Sequence, residues 1–402
     1  MKLGIDVLLD DARLRRRLAG RRVAVVAHPA SMTRAFRHAV DALAAFPETR
    51  PVAAFGPQHG MRGEKQDNMQ ESDDYRDPVH GIPVHSLYGR VRRPTPAMLD
   101  GVDVILFDVQ DLGTRIYTFL TTLLYVLEAA AASGKSVWVL DRPNPVGRPV
   151  EGALLQPGWE SFVGAGALPM RHGLTLGEAA RWFRAAHRLD VDLHVVAMEG
   201  WDPHAAPGFG WPLGEYPWVN PSPNAAGLSM ARAYPGTVVI EGTELSEGRG
   251  TTHPLELVGA PDLDVAALLA SMQAMAPGWL AGCRLRPCFF EPTFHKHVGR
   301  LCAGIQIHVD DGAYVHDAFR PYRLVALWLK AIRRWRPDYP LWREFPYEYE
   351  TERLAVDVID GGPGLRTWVD DAAATPGDLD ARLRADERAW ADRRSAALLY
   401  PA

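Results

Sequence analysis

Val104-Ile-Leu-Phe-Asp-Val-Gln-Asp-Leu-Gly-Thr-Arg-Ile-Tyr117, with the residues that follow it, decides how this chain folds. Four apolar residues make a strand with no polar face. A polar loop follows, Thr118 to Ser133 reads as a helix stopped by Gly134, and Ser136-Val-Trp-Val-Leu140 is again wholly apolar. Strands apolar on both faces belong to parallel sheets covered by helices on both sides. The same rhythm extends in both directions. Val23-Ala-Val-Val-Ala27 and Val52-Ala-Ala-Phe55 read as earlier strands, preceded by a helix over Asp11 to Ala19 with Gly20 as its stop. A capping box at Thr175-Leu-Gly-Glu178 opens a helix that leads to a fifth strand, Leu193-His-Val-Val-Ala197. The fold class expected is therefore α/β, with a doubly wound, mainly parallel sheet.

Beyond Pro254 the pattern changes. A helix over Asp264 to Ala276, strands near Arg284 to Phe290 and Gly304 to Val309, a helix over His316 to Trp335 and a last helix over Asp378 to Leu399 predict an α+β unit. The expected division is 1–255 for the sheet-bearing domain and 256–402 for a smaller α+β domain closing a cleft. The segment Gly200 to Pro235, rich in Pro, Gly and Trp, reads as a linker or a lid, and Thr237-Val-Val-Ile240 as a further short strand.

Composition removes several classes of function. The 402 residues carry a net charge of -5, with 47% hydrophobic and 23% charged residues, so nucleic acid and anionic membrane are not expected partners. No apolar run is long enough to span a bilayer, the amino-terminal stretch is interrupted by acids, and a cytoplasmic location is expected. Three cysteines, Cys283, Cys288 and Cys302, lack metal-ligand spacing and read as buried thiols. There is no Gly-Xaa-Gly-Xaa-Xaa-Gly, phosphate-binding loop, serine elbow or His-Glu-Xaa-Xaa-His, so nucleotide-dependent and serine-hydrolase chemistry are disfavoured and no cofactor is expected.

Chemistry gathers after the strands. Gln58-His59 follows the second, Asp108-Val-Gln110-Asp111 the third, and Asp141-Arg142-Pro-Asn144 the fourth, as in a ligand crevice at the carboxyl edge of an open sheet. Gln58, Asp111 and Asn144 are expected to point into it together. The densest group is Glu241-Gly-Thr-Glu244-Leu-Ser-Glu247-Gly-Arg249-Gly, three carboxylates and an arginine in a glycine-rich frame. A metal site from His59, Asp108, Asp111 and His253 is a competing reading, although their spacing is not diagnostic.

Several of these motifs resemble the NamZ family of exo-β-N-acetylmuramidases. They include Phe55-Gly-Pro-Gln-His-Gly-Met-Arg-Gly63, Phe107-Asp-Val-Gln-Asp-Leu-Gly-Thr-Arg-Ile-Tyr-Thr118, Leu140-Asp-Arg-Pro-Asn-Pro145, Arg171-His-Gly-Leu-Thr175, Ser222-Pro-Asn224 and Glu241 to Thr251. The resemblance implies a Rossmann-like domain with an auxiliary domain, an active site between them, and release of N-acetylmuramic acid from the non-reducing end of peptidoglycan fragments. Its substrate would be a muramic acid-containing saccharide or muropeptide. Glycoside hydrolysis needs two carboxyl groups, one with a raised pKa. Glu64, Asp111, Glu244 and Glu247 are the expected catalytic acids. Gln58, His59, Tyr88, Arg115, Tyr117, Arg142, Asn144, Asn224 and Arg249 are expected to bind substrate, with an arginine on the lactyl carboxylate and an aromatic residue on a sugar face. One departure stands out: the family pattern has Glu where this chain has Gln58, and an amide does not titrate. Either another acid moves the proton, or the protein is a metal-assisted hydrolase or a catalytically silent binder of acidic amino sugars.

Overall fold

The computed structural model describes residues 1–63, 65 and 69–402. Seven strands form one sheet: β1 (Val23–Ala27), β2 (Pro51–Gly56), β3 (Tyr75–Arg76), β4 (Pro83–Ser86), β5 (Val104–Asp108), β6 (Ser136–Leu140) and β7 (Asp192–Val196). Their order is β3-β4-β2-β1-β5-β6-β7, and every pairing is parallel except β3 with β4. The chain moves outward from β1 through β2, then crosses back to β5 on the other side of β1. Loops after β1 and β5 therefore part at a topological switch point, with the loop after β2 next to it, which is where such sheets bind ligands. β1, β5 and β6 are buried along their whole length, as their unbroken apolar sequences require.

A second sheet, antiparallel and three-stranded, has the order β8 (Leu257–Ala260), β10 (Cys302–His308), β9 (Arg284–Phe290). β8 escaped sequence reading because Leu-Val-Gly-Ala is short and contains a glycine. That glycine, Gly259, faces Gly304 across the ladder, and a Cβ on Gly304 would lie 2.1 Å from the carbonyl oxygen of Val258. All three cysteines are free thiols.

Two expectations need correction. Asp11 to Ala19 is not one helix: Gly4–Asp10 and Ala12–Arg16 are separate, and extended Asp11 caps the second by accepting from the Arg13 amide. Thr237 to Ile240 is not a strand. The helix Leu228–Thr237 runs straight into a 3-10 turn, Val238–Gly242. The turn packs against the helices Ala355–Asp360 and Leu228–Thr237, and its β-branched side chains are buried there. Two glycines allow this approach. A Cβ on Gly236 would come within 2.0 Å of the Pro321 carbonyl at the start of the helix Pro321–Trp335, and one on Gly242 within 2.5 Å of the Val356 amide. Glu241 is thereby fixed on a rigid turn wedged between elements of the carboxyl-terminal region.

Beneath the crevice, Asp108 and Arg142 form a bidentate pair: Nε and Nη2 donate to the two carboxylate oxygens at 2.6 and 2.8 Å, with both side chains buried. The pair ties the end of β5 to the end of β6. Removing one partner strands a charge away from water, which typically costs about 3–5 kcal/mol. Arg142→Met should lower the unfolding free energy by about that much. Adding Asp108→Asn should restore part of the loss, an effect read from urea midpoints of the single and double variants.

Candidate functional site

A narrow cleft of about 40 Å³ lies beside the switch point, its walls almost entirely side chains. One wall comes from the loops after β2 and β5: Gln58, His59, Leu112, Ile116, Tyr117 and Thr118. The facing wall carries Asn224, Tyr234, Glu241, Arg249, Tyr347 and Glu348.

The decisive group is Glu348, which sequence reading missed. It belongs to Phe345-Pro-Tyr-Glu-Tyr-Glu350, a loop with no recognisable motif, 290 residues beyond Gln58. The only signal was the density of acids and tyrosines. Glu348 and Tyr349 both lie in the left-handed region, with φ of 45° and 75°. For residues with a Cβ this conformation costs roughly 1–2 kcal/mol each. The cost is held by side-chain contacts: Tyr88 donates its hydroxyl to Glu348 Oε2 at 2.8 Å, and the Gln58 amide donates to Oε1 at 3.0 Å. Tyr349 packs edge-on against Tyr88 under the guanidinium of Arg92.

The hydroxyl of Thr118 decides what Gln58 can do. It donates to Gln58 Oε1 at 2.8 Å, which leaves the NH2 group facing Glu348. An amide at position 58 is thus a donor to a carboxyl that itself holds a proton. Burial, with the charge of Glu241 adding to it, pushes the Glu348 carboxyl up to about 7, against the pull of its bonds from Tyr88 and Gln58.

Glu241 has different surroundings. Arg249 Nη2 donates to Oε1 at 2.6 Å and the Tyr347 hydroxyl to Oε2 at 2.8 Å, partners suited to a carboxylate anion. Behind Arg249 lies Glu247, 3.2 Å from its Nε, 2.7 Å from Lys296 Nζ and 3.3 Å from His295 Nδ1. Burial alone would raise the Glu247 carboxyl, but Lys296, His295 and Arg249 together hold it well below the usual carboxylate range. Lys296 also donates to the carbonyls of Ile240 and Thr243, pinning the turn that carries Glu241.

Of the residues singled out from sequence, Gln58, His59, Tyr117, Asn224 and Arg249 line the cleft, and Tyr88 reaches it through Glu348. Others are turned to structural work. Arg115 donates to the carbonyls of Ala153, Leu168 and Ile359, with its guanidinium fully buried among them. Arg142 is taken by Asp108, and Asn144 braces its own turn through the Val146 amide and the Leu174 carbonyl. Asp111 accepts from the Gly113 amide at 2.6 Å and faces His172. Asp111 and Asn144 therefore do not join Gln58 in the cleft, because short polar side chains at strand ends satisfy nearby backbone first. Glu247 sits behind Arg249, Glu244 is absent from the cleft wall, and Glu64 lies outside the described residues. The residues of the metal reading are dispersed: Asp108 faces Arg142, and His253 is an exposed neighbour of Glu256. Among the described residues no group of three or more His, Cys, Asp or Glu side chains is placed to hold a metal ion.

A buried acid of raised pKa, sharing a cleft with a second carboxylate braced by cations, is the working arrangement of glycoside hydrolases. Family models described as exo-β-N-acetylmuramidase NamZ, N-terminal and C-terminal, match residues 23–229 and 232–400, and the chain belongs to this family. Peptidoglycan β-N-acetylmuramidase NamZ of Bacillus subtilis (strain 168) is 42% identical over 339 residues, covering 84% of this chain and 78% of that protein. The crystal structure of a DUF1343 family protein from Bacteroides fragilis NCTC 9343 superposes with a TM-score of 0.86 at 27% identity, covering 100% of this chain and 99% of the other. A second DUF1343 protein of that organism, 23% identical with a TM-score of 0.74 over 99% and 98% of the two chains, shares the fold. Gln58, Thr118 and Asn224 fall in the first matched region and Glu241, Arg249 and Glu348 in the second, so the cleft draws on both.

The raised pKa of Glu348 has a consequence for stability. A carboxyl that is harder to ionise when folded favours the folded state below its ordinary value near 4.5, and that contribution is lost as pH rises to about 7. Glu348→Gln should remove the dependence. Relative to wild type, the variant should gain stability between pH 5 and pH 8, by up to about 3 kcal/mol for a shift of this size. Melting curves of both proteins at the two pH values check this.

Proposed function

We propose that this protein is an exo-β-N-acetylmuramidase that releases N-acetylmuramic acid from the non-reducing end of peptidoglycan fragments, with Glu348 as proton donor. The observation that carries the reading is the unequal pair in the cleft. Glu348, half protonated near neutral pH, is suited to protonate a leaving glycosidic oxygen. Glu241, anchored by Arg249 and Tyr347, is suited to act at the anomeric carbon, directly or through a water. Family membership and the Bacillus subtilis relative support the substrate class.

Arg249 is the one Arg or Lys lining the cleft among the described residues, and we assign it to the lactyl carboxylate that distinguishes muramic acid from other amino sugars. Tyr117 and Tyr347 offer ring surface to the sugar, while His59 and Asn224 supply polar contacts. Of the acids put forward from sequence, Glu247 serves as a positioning residue, since its charge holds Arg249 against Glu241. No helix of the described residues is long and apolar enough to cross a membrane.

Gln58 fits this scheme as the donor that orients Glu348. Gln58→Glu would set two carboxyl groups beside each other, so that they share a proton and the second ionisation moves upward. The falling limb of the pH profile should then shift to higher pH by a unit or more.

Incubation with an N-acetylmuramyl-β-1,4-N-acetylglucosamine disaccharide and with a 4-nitrophenyl β-muramide tests the whole reading. Wild type should release N-acetylmuramic acid from both, with kcat/KM falling as pH rises past about 7, and a chelator should leave the rate unchanged. Glu348→Gln should slow the disaccharide by about 10²- to 10⁴-fold, and the nitrophenyl substrate, whose leaving group needs little protonation, far less. Binding without release at any pH would establish a silent binder, and loss of activity with chelator a metal-assisted hydrolase.

A further inference from the structure

Away from the cleft, Arg171 and Arg232 are buried with no acid within ion-pair distance of either among the described residues. Arg171 is 2% exposed and Arg232 5% exposed. Arg171 Nη2 donates to the Val146 carbonyl at 2.5 Å and the guanidinium neighbours the Tyr314 hydroxyl, but Nε and Nη1 make no well-aligned hydrogen bond. Arg232 donates to the carbonyls of Val309, Pro207 and Gly208, and its Nε is likewise unpartnered. Nη1 of Arg320, the residue capping the helix Pro321–Trp335, is a fourth buried donor without an acceptor.

Aromatic residues knit these groups together. The Arg232 guanidinium lies 4.0 Å from the Tyr314 ring centre, and the Tyr314 hydroxyl is 2.7 Å from Nδ1 of buried His316. In the tautomer whose Nδ1 accepts from the phenol, Nε2 of His316 carries the proton, and that nitrogen has no partner. That nitrogen abuts Gly147, next to the residue whose carbonyl holds Arg171. Burial, together with the charges of Arg171 and Arg232, pushes His316 down to about 2, so the imidazole adds a donor without adding charge.

Guanidinium groups do not deprotonate at physiological pH, and the acids that act on Arg171 and Arg232, Glu151 and Asp310, do so from beyond ion-pair distance. Neighbouring carbonyls take some N–H groups and compensate no charge. Glu151, whose backbone bridges to that of Arg171, gives its carboxylate to the Tyr322 and Arg323 amides. An uncompensated buried charge costs several kcal/mol, whereas charge-assisted bonds to an anion offset that cost.

We infer that Arg171, Arg232, Arg320 and His316 form a binding site for a small inorganic anion, separate from the catalytic cleft, that completes the packing between the sheet-bearing region and the carboxyl-terminal helices. A halide and a tetrahedral oxyanion share the chemistry required, and the test distinguishes them. Crystals grown in sodium bromide should show an anomalous bromine peak in hydrogen-bond contact with Arg171 and Arg232. In solution at constant ionic strength, replacing gluconate with chloride, or separately with phosphate, should raise the melting temperature saturably by about 3 °C for the anion that fits. Arg320→Gln, at a half-exposed helix end, should reduce the response at least threefold while the protein stays folded. Arg171→Met should abolish it, and if that variant does not fold, Arg320→Gln and the bromide peak decide. Water alone at the site, a melting temperature indifferent to anion identity, or an unchanged response in Arg320→Gln would each overturn the inference.

Discussion

Everything distinctive about this cleft depends on the burial of one carboxyl group. Glu348 is brought by a carboxyl-terminal loop to the switch point of the parallel sheet, where Tyr88 and Gln58 bond to it. Those bonds join the two halves of the molecule and hold two consecutive residues in left-handed backbone conformation. Desolvation then outweighs the two hydrogen bonds, which favour the anion, and a proton is retained near neutral pH. Folding and acid chemistry are here the same interaction seen at two levels.

The second carboxylate shows the opposite use of burial. Glu241, Arg249, Glu247 and Lys296 alternate in sign, each within ion-pair or hydrogen-bond distance of the next. Isolated, any of them would be costly to bury. In alternation they form a rigid network whose outermost carboxylate faces the cleft. The network rests on the 3-10 turn Val238–Gly242, and that turn exists because Gly236 and Gly242 let helices approach without an intervening Cβ. Gln58 is consistent with this layout. Thr118 orients it as a donor, and a donor is what a protonated carboxyl across the cleft can accept.

Much of this was legible from sequence, for physical reasons. Strands buried on both faces must be apolar throughout, so β1, β5 and β6 announce themselves, and the alternation with helices leaves few topologies. A parallel sheet then places polar strand-end residues at one edge, which made Gln58, His59 and Tyr117 credible. β8 and the turn carrying Glu241 were not legible, because short β-branched or glycine-containing runs take whichever backbone their neighbours complete. Arg115, Arg142 and Asn144 stand at the right edge of the sheet, but the nearest unsatisfied carbonyls, amides and Asp108 claim their polar atoms before a ligand can.

The sequence by itself determined the class of fold, the edge of the sheet where chemistry gathers and the family to which the chain belongs. These follow from local composition and from motifs whose residues are close in the chain. Only the tertiary structure decided which carboxyl holds a proton and which arginine faces the cleft. Glu348 and Gln58 are 290 positions apart, and nothing in either segment encodes the other. A pKa depends on desolvation and on the charges that surround a group in space, and those become definite only once the two regions have packed together.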